Sequence, residues 1–259
     1  MVTTQTYREL EARWKALRAR GVRVREVACV GAPRTMLCAE LGEAPAPVVA
    51  LAAGVHGDEP AGPWALLALV ESERLDPHFS YRIWPCTNPS GFALGTRANA
   101  DGADVNRTFA GAGSSPEAKA ILTANRDRRF ALSLDLHEDC DANGFYCYEY
   151  GGGTLGCAVL AALEEAGHPL DPLEATFDLA GPLDPQACVR ERGRIVADLR
   201  AEAAAIGAYS YSMRLARRAA RFALTFESPA AAAWEDRLAM HGVAVQAAIA
   251  ALRRVNDYA

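Results

Sequence analysis

The chain has 259 residues, of which 51% are hydrophobic, and a formal net charge of −5. This composition provides for a large core and, without a basic run, argues against nucleic acid or an anionic membrane as the main partner. No apolar stretch approaches the roughly 20 residues that span a bilayer, and the N-terminal residues lack the apolar segment of a signal peptide. The seven cysteines are scattered without a CxxC pair, as is typical of reduced thiols, so we expect a cytoplasmic protein.

The pattern of apolar residues predicts strands that alternate with helices along the chain. In chain order it predicts a helix at 4–20, strands at 22–30, 35–41 and 48–53, a helix at 59–73, a strand at 81–85, a loop at 87–113, a helix at 116–128, strands at 130–136 and 144–150, a helix at 151–166, a loop at 167–188, a helix at 189–206, a strand at 222–226 and a helix at 230–255. This alternation predicts one α/β domain over residues 1–259, with a mixed, mostly parallel central sheet and an antiparallel edge.

Polar side chains follow several of the predicted strands at the point where each strand ends. His56 and Glu59 come after the strand at 48–53, His137 ends a buried strand, and Glu227 ends the last strand. Because sites in open α/β sheets form at the carboxyl ends of strands, we expect these side chains to share one site.

His56 and Glu59 are three positions apart on one side of a turn, and imidazole and carboxylate are both zinc ligands. A catalytic zinc keeps three protein ligands, so a third must come from elsewhere. His137 is favoured because it ends a buried strand. The other histidines are more typical of surface or structural residues: His78, His168 and His241.

Hydrolysis at such a metal also needs a carboxylate to move the proton of the attacking water, and Glu227 is the candidate. Arg97 and Arg107, in the loop at 87–113, are candidates to bind an oxyanion and a substrate carboxylate, since a guanidinium matches either with two donors. Taken alone, Glu227 would be a surface glutamate and the arginines would be solvated side chains.

Two further residues lie near His137 in the sequence. Asp135 falls on the same strand face by the two-residue period, where it would orient the imidazole or be a buried, paired carboxylate. Cys140 could bind a metal, although its spacing is more typical of an ordinary thiol.

Six short motifs, in order, resemble the zinc metallocarboxypeptidases of the carboxypeptidase A type. They are His56-Gly-Asp-Glu59, Asn88-Pro-Ser-Gly91, Gly95-Thr-Arg97, Asp104-Val-Asn106-Arg107, Leu136-His137 and Thr225-Phe-Glu227. They extend over about two-thirds of the chain, and although each is weak alone, six in order are specific. The block from Gly95 to Arg107 looks most like bacterial members that cleave small peptides, including amidases acting on murein peptides.

The resemblance implies one zinc ion and a mixed sheet of about eight strands between helices. It also implies a role for each matching residue: zinc ligands (His56, Glu59, His137), general base and then acid (Glu227), oxyanion binding (Arg97), binding of the terminal carboxylate of the substrate (Asn106, Arg107) and a mobile cap over the substrate (Tyr209 or Tyr211). The chain is shorter than the digestive members and shows no pro-segment, so we do not expect digestion of bulk protein.

The nearest alternative is an N-acyl amino acid deacylase of the succinylglutamate desuccinylase and aspartoacylase type, which shares the same pattern of ligands and base. Arg107 would serve either a small peptide or an acyl amino acid, since both carry carboxylates. The motifs at 88–91 and 95–97 favour the peptidase. A non-catalytic binding module would not need Glu227, a serine hydrolase would need a G-x-S-x-G elbow, and the glycines at 111–113 lack the lysine of a P-loop.

Overall fold

The computed structural model describes residues 6–43, 45–110, 113–151, 153–172 and 188–257. Within these ranges nine strands form one sheet with helices on both faces. None of the helices in this part of the chain is both long enough and apolar enough to cross a membrane.

The strands are β1 (Arg23–Val27), β2 (Met36–Leu41), β3 (Val48–Ala53), β4 (Ser80–Trp84), β5 (Phe130–Asp139), β6 (Tyr146–Tyr150), β7 (Cys188–Glu191), β8 (Arg194–Ala197) and β9 (Ala220–Pro229). The helices are α1 (Tyr7–Ala16), α2 (Ala61–Glu71), α3 (Pro89–Leu94), α4 (Pro116–Ala124), α5 (Leu155–Glu165), α6 (Leu199–Ile206), α7 (Tyr211–Arg218) and α8 (Trp234–Asp257), with short 3-10 turns at Leu17–Arg20 and Val105–Arg107.

The sheet has the order β1-β2-β4-β3-β5-β9-β6-β8-β7. Its four central strands, β4, β3, β5 and β9, run parallel to one another. On one side β2 pairs antiparallel with β4 and with β1, and on the other side β6 pairs antiparallel with β9. The α/β class is confirmed, and the described sheet has nine strands where the resemblance implied about eight.

Strand β3 shows why the sequence at the centre of the sheet is an unbroken run of apolar residues. Val49, Leu51 and Ala53 pack with α1, α2, α5 and α8 on one face. Ala50 and Ala52 belong to a second cluster with α4 and α7 on the other face. Because both faces are covered, every position along the strand is apolar.

The structure corrects the prediction of a helix at 189–206. This segment forms the hairpin of β7 and β8, whose turn contains Gly193 at φ 73°, and only its last part, capped by Asp198, is helical. Helix α7 was not predicted; its N-terminus is capped by the side chain of Ser210. Most of the loop predicted at 167–188 lies outside the described residues.

Candidate metal centre

Three adjacent parallel strands bring the predicted site residues to one edge of the sheet. His56 and Glu59 follow β3, His137 lies near the end of β5, and Glu227 lies near the end of β9 as the register neighbour of His137. His56, Glu59 and His137 are buried, and one ligand atom from each lies within 4.8 Å of the others. The convergence predicted from the strand ends is therefore present.

The carboxylate of Glu59 lies between the two imidazoles. Its Oε1 is 2.5 Å from His56 Nδ1, and its Oε2 is 2.8 Å from His137 Nδ1. The two Nδ1 atoms thus point toward a common centre, and the imidazole rings lie 4.9 Å apart, centroid to centroid.

The far side of each imidazole faces another carboxylate. His137 Nε2 is 3.1 Å from Asp135 Oδ2, which is the contact that the two-residue period predicted. His56 Nε2 is 3.4 Å from Asp104 Oδ1. This position of Asp104 was not predicted, although the residue belongs to the Asp104-Val-Asn106-Arg107 motif. Carboxylates placed behind ligating histidines fix the ring orientation and leave the opposite nitrogen for the metal.

The charges of the centre depend on one another. Burial alone would raise the pKa of Glu59, but the two imidazoles outweigh it and hold the pKa below the usual range. Burial would lower the pKa of His137, but Asp135, Glu59 and Glu227 raise it well above its ordinary value. Two imidazoles and a carboxylate that converge in a buried site have the donor chemistry of a divalent metal site. Two histidines with one carboxylate fit zinc.

Two glycines explain why the first two motifs occur together. A Cβ on Gly57 would lie 1.9 Å from the carbonyl carbon of Gly91, so the two backbones are in direct contact. Gly57 N–H donates to the carbonyl oxygen of Thr96, and Asn88 Nδ2 donates to the carbonyl oxygen of Arg97. The Asn88-Pro-Ser-Gly91 motif therefore attaches the loop that carries Arg97 to the turn that carries His56 and Glu59.

Glu138, whose role was not predicted, also holds the turn that carries Glu59. Its backbone N–H donates to Glu59 Oε2 at 3.2 Å, and its Oε2 accepts from the N–H of Ala61 at the start of α2. Its Oε1 accepts from Arg237 of α8 at 2.6 Å. The orientation of Glu59 is thereby tied to two helices.

Glu227 lies mostly buried beside the metal centre. Burial raises the pKa of its carboxyl well above the ordinary value; Glu59, Asp139 and Asp135 add to this shift, and His137 opposes it. A carboxylate with a raised pKa is suited to accept a proton at neutral pH and to release it again.

The predicted anion-binding residues line the same cleft. Arg97 is about half exposed; its Nε lies 3.1 Å from Asp104 Oδ2, and its Nη1 lies 3.3 Å from His56 Nδ1. Asn106 is buried, and its Oδ1 accepts from the backbone N–H of Tyr211. Arg107 contacts the carbonyl oxygen of Asn106 with one Nη.

Neither tyrosine proposed as a cap lines the cleft. Tyr211 is 1% exposed and packs edge-on against Phe109 in the core, so it does not meet the expectation of a mobile cap. Tyr209 contacts the guanidinium of Arg217 with both its hydroxyl group and its ring face. The role of substrate cap was assigned to these tyrosines from the family resemblance alone, and no sequence motif fixed which residue would have it.

The cleft beside the metal centre has a volume of about 520 Å³. One wall is formed by Tyr146, Tyr148 and Tyr150, which alternate along β6 and so share a face. The sequence placed these tyrosines in a strand but assigned them no role. Glu202 of α6 completes this wall, and its Oε1 accepts from the Tyr150 hydroxyl group at 3.1 Å.

Asp139, Cys140 and Asp141 form a second group of possible ligand atoms at the edge of the cleft. Tyr146 OH donates to Asp139 Oδ2 at 2.8 Å, and both Cys140 and Asp141 are exposed. Exposed acidic groups are common without a metal, and Cys140 does not approach the buried histidines closely enough to join their group.

Comparison with known proteins gives matches to hydrolases. Residues 45–170 match the family model of the succinylglutamate desuccinylase/aspartoacylase catalytic domain. The chain is 37% identical to carboxypeptidase SOL1 of Arabidopsis thaliana over 103 residues, which cover 32% of this chain and 21% of that protein. It is 38% identical to murein peptide amidase A of Escherichia coli K12 over 82 residues, which cover 29% of this chain and 33% of that protein. The matches thus span a fifth and a third of these relatives.

The fold has a wider match. A crystal structure described as that of a proposed metallopeptidase from Shewanella denitrificans superposes with a TM-score of 0.74 at 22% identity, covering 93% of this chain and 88% of that one. The resemblance predicted from the six motifs is therefore confirmed: residues 45–170, just under half of the chain, resemble the catalytic domain of the zinc metallocarboxypeptidase-like family that includes the succinylglutamate desuccinylases and aspartoacylases.

Proposed function

We propose that this chain is a zinc-dependent hydrolase that cleaves a C-terminal peptide or amide bond in a small peptide with a free carboxylate. The observation that carries the proposal is the convergence of His56, Glu59 and His137 beside the carboxyl group of Glu227. These two imidazoles and the carboxylate of Glu59 would hold one zinc ion. When bound, zinc supplies a Lewis acid that polarises the scissile carbonyl group and activates water.

The side chains around the proposed metal site would transfer the proton, stabilise the oxyanion and bind the substrate carboxylate. Glu227 accepts the proton of the attacking water and returns it to the leaving nitrogen, which its raised pKa favours. Arg97, held by Asp104, stabilises the negative charge that develops on the carbonyl oxygen. Arg107 and the NH₂ group of Asn106 bind the substrate carboxylate.

The second candidate is an N-acyl amino acid deacylase, and the family match over residues 45–170 supports it. Both reactions use the same metal, base and carboxylate anchor, and differ in the acyl group presented to the metal. The partial matches to a carboxypeptidase and to a murein peptide amidase support the peptidase reading. The substrate is a small molecule in either case.

The first test combines metal content with a substrate panel. We expect about one zinc per chain by elemental analysis, and chelator-sensitive cleavage of dipeptides with a free C-terminus. Glu227→Gln should retain zinc and lose turnover, because it removes only the proton acceptor. Glu235→Gln, on an exposed part of α8, is the matched control and should keep both.

Three outcomes would change the assignment. Cleavage of N-acyl amino acids alone would move the chain to the deacylases. A Glu227→Gln protein with a near wild-type rate would remove the role of that residue. Failure to take up zinc would overturn the proposal as a whole.

We further propose that the protein acts in the cytoplasm, with residues 1–259 as one catalytic domain. The six cysteines whose side chains the structure describes, from Cys29 to Cys157, are free thiols, which supports a reducing compartment.

A further inference from the structure

A group of buried polar atoms lies on the sheet face that α4 and α7 cover, next to His137. In the strand register, Ala50 and Ala52 of β3 stand between two side chains of β4 and two of β5, which are Arg82, Trp84, Ser133 and Asp135. Each of these four has a buried polar atom without a hydrogen-bond partner in the described ranges: Arg82 Nε, Trp84 Nε1, Ser133 Oγ and Asp135 Oδ1. The alanines contribute only methyl groups, so β3 places no polar group between these atoms.

Tyr211 of α7 covers this group of atoms from the helix side. It is buried in one cluster with both alanines and Trp84, and its hydroxyl group has no hydrogen-bond partner among the residues that the structure describes. Burial raises the pKa of its phenol well above the ordinary value; the carboxylate of Asp135 adds to this shift, and the hydroxyl group of Ser133 opposes it. The phenol is therefore within electrostatic reach of both β5 side chains.

The chemistry of these atoms matches a water molecule better than an ion. Tyr211 and Trp84 offer hydrogens, whereas Asp135 Oδ1 can only accept one when its carboxylate is charged. An anion would accept from the donors but would lie against the carboxylate, and a metal cation would lie against the guanidinium group of Arg82. A water can accept from the phenol and donate to the carboxylate, and buried waters typically make about three hydrogen bonds to polar groups that would otherwise be unpaired.

Asp135 connects these atoms to the candidate metal centre. Its Oδ2 is 3.1 Å from His137 Nε2, whereas its Oδ1 is the oxygen without a partner in this part of the chain. A carboxylate that is held through one oxygen can rotate, and the imidazole that it orients can turn with it. A hydrogen bond to the second oxygen would prevent this rotation. Groups behind a ligating histidine change metal affinity because they fix the direction of the ring.

We propose that Tyr211 is a positioning residue whose hydroxyl group holds Asp135 Oδ1 through one buried water and thereby keeps His137 Nδ1 directed at the metal. This inference rests on the proposed zinc-dependent function, because it concerns one of the proposed zinc ligands. It gives Tyr211 a role in the core in place of the mobile cap that the family resemblance implied.

The first test is the zinc affinity, measured in competition with a chromogenic chelator. Tyr211→Phe removes only the hydroxyl group and should bind zinc roughly tenfold more weakly than the wild type. In an Asp135→Ala background the same change should alter the affinity by less than about twofold, because the hydroxyl group acts through the carboxylate. Tyr81→Phe is the matched control: its hydroxyl group donates to the carbonyl oxygen of Asp76 on the other face of the sheet, so this change should lower stability and keep the wild-type zinc affinity.

A high-resolution crystal structure of the zinc-loaded wild type tests the water directly. We expect one ordered water within about 3.2 Å of both the Tyr211 hydroxyl group and Asp135 Oδ1, and its loss in Tyr211→Phe. If the wild type binds zinc, three results would each overturn the role of Tyr211 alone: no water at this position, an unchanged zinc affinity in Tyr211→Phe, or additive effects of the two substitutions. A wild type that takes up no zinc would overturn the proposed function and this role with it.

Discussion

Replacing Glu202 by glutamine should make the stability of the protein less dependent on pH. Burial raises the pKa of this carboxyl group from 4.5 to about 7, against smaller opposing effects of the Tyr150 hydroxyl group and Arg107. The folded state therefore binds the proton more tightly than the unfolded state does. The wild type loses stability as the pH rises from the unfolded pKa through the folded one.

The structure gives the size of this effect. Because one pKa unit corresponds to about 1.4 kcal/mol, ionising Glu202 costs the folded state up to about 3 kcal/mol above pH 8. About 2 kcal/mol of this cost appears between pH 5.5 and 8.5. These are upper values, because Glu202 is only mostly buried and solvent in the cleft screens its charge.

Urea unfolding of chelator-treated protein at pH 5.5 and 8.5 measures this cost. The free energy of unfolding of Glu202→Gln minus that of the wild type should be about 2 kcal/mol larger at the higher pH, because only the wild type loses stability. Glu165→Gln should give no such difference, because its carboxylate is exposed. If the difference in unfolding free energy between the variant and the wild type changes by less than about 0.5 kcal/mol between pH 5.5 and 8.5, the reasoning is refuted. As a direct check, the carboxyl ¹³C signal missing from the variant should titrate near pH 7.

Two more substitutions test the contacts around the metal centre. Arg107→Ala should raise KM roughly ten- to a hundredfold for substrates with a free carboxylate, but not for their amides; an unchanged KM for the free acids would remove the anchor role. Gly57→Ala would force a Cβ to within 1.9 Å of the backbone of Gly91, so we expect a loss of roughly 3 kcal/mol or more in urea unfolding together with weakened zinc binding. Gly242→Ala, which has open space in α8, should be neutral or slightly stabilising, and a Gly57→Ala protein that behaved like it would contradict the contact.

The convergence of the candidate metal ligands was predictable because these residues stand at or near strand ends. Buried parallel strands consist mainly of apolar residues, so histidines and glutamates at or just after their ends are conspicuous: His56 and Glu59 after β3, His137 near the end of β5 and Glu227 near the end of β9. Topology then brings these ends together without any further information from the sequence.

The residues that the sequence did not reveal act through contacts between distant segments. Asp104 lies behind His56, Glu138 ties Glu59 to α2 and α8, and Glu202 reaches the cleft from a helix far along the chain. The helix predicted at 189–206 failed for a related reason: pairing of β8 with β6 overrides the local pattern there.

The register between β5 and β9 makes the spacing of the proposed metal ligand and the proposed base a property of the backbone. His137 and Glu227 are paired positions on neighbouring strands, which the ladder of hydrogen bonds holds about 5 Å apart. The wall with Glu202, by contrast, comes from α6 and from β6. The candidate metal centre and this wall of the cleft therefore belong to separable parts of the chain. An engineer could exchange the segment around α6 to reshape the cleft, whereas a one-residue slip of β9 would turn Glu227, the proposed base, to the opposite face of the sheet.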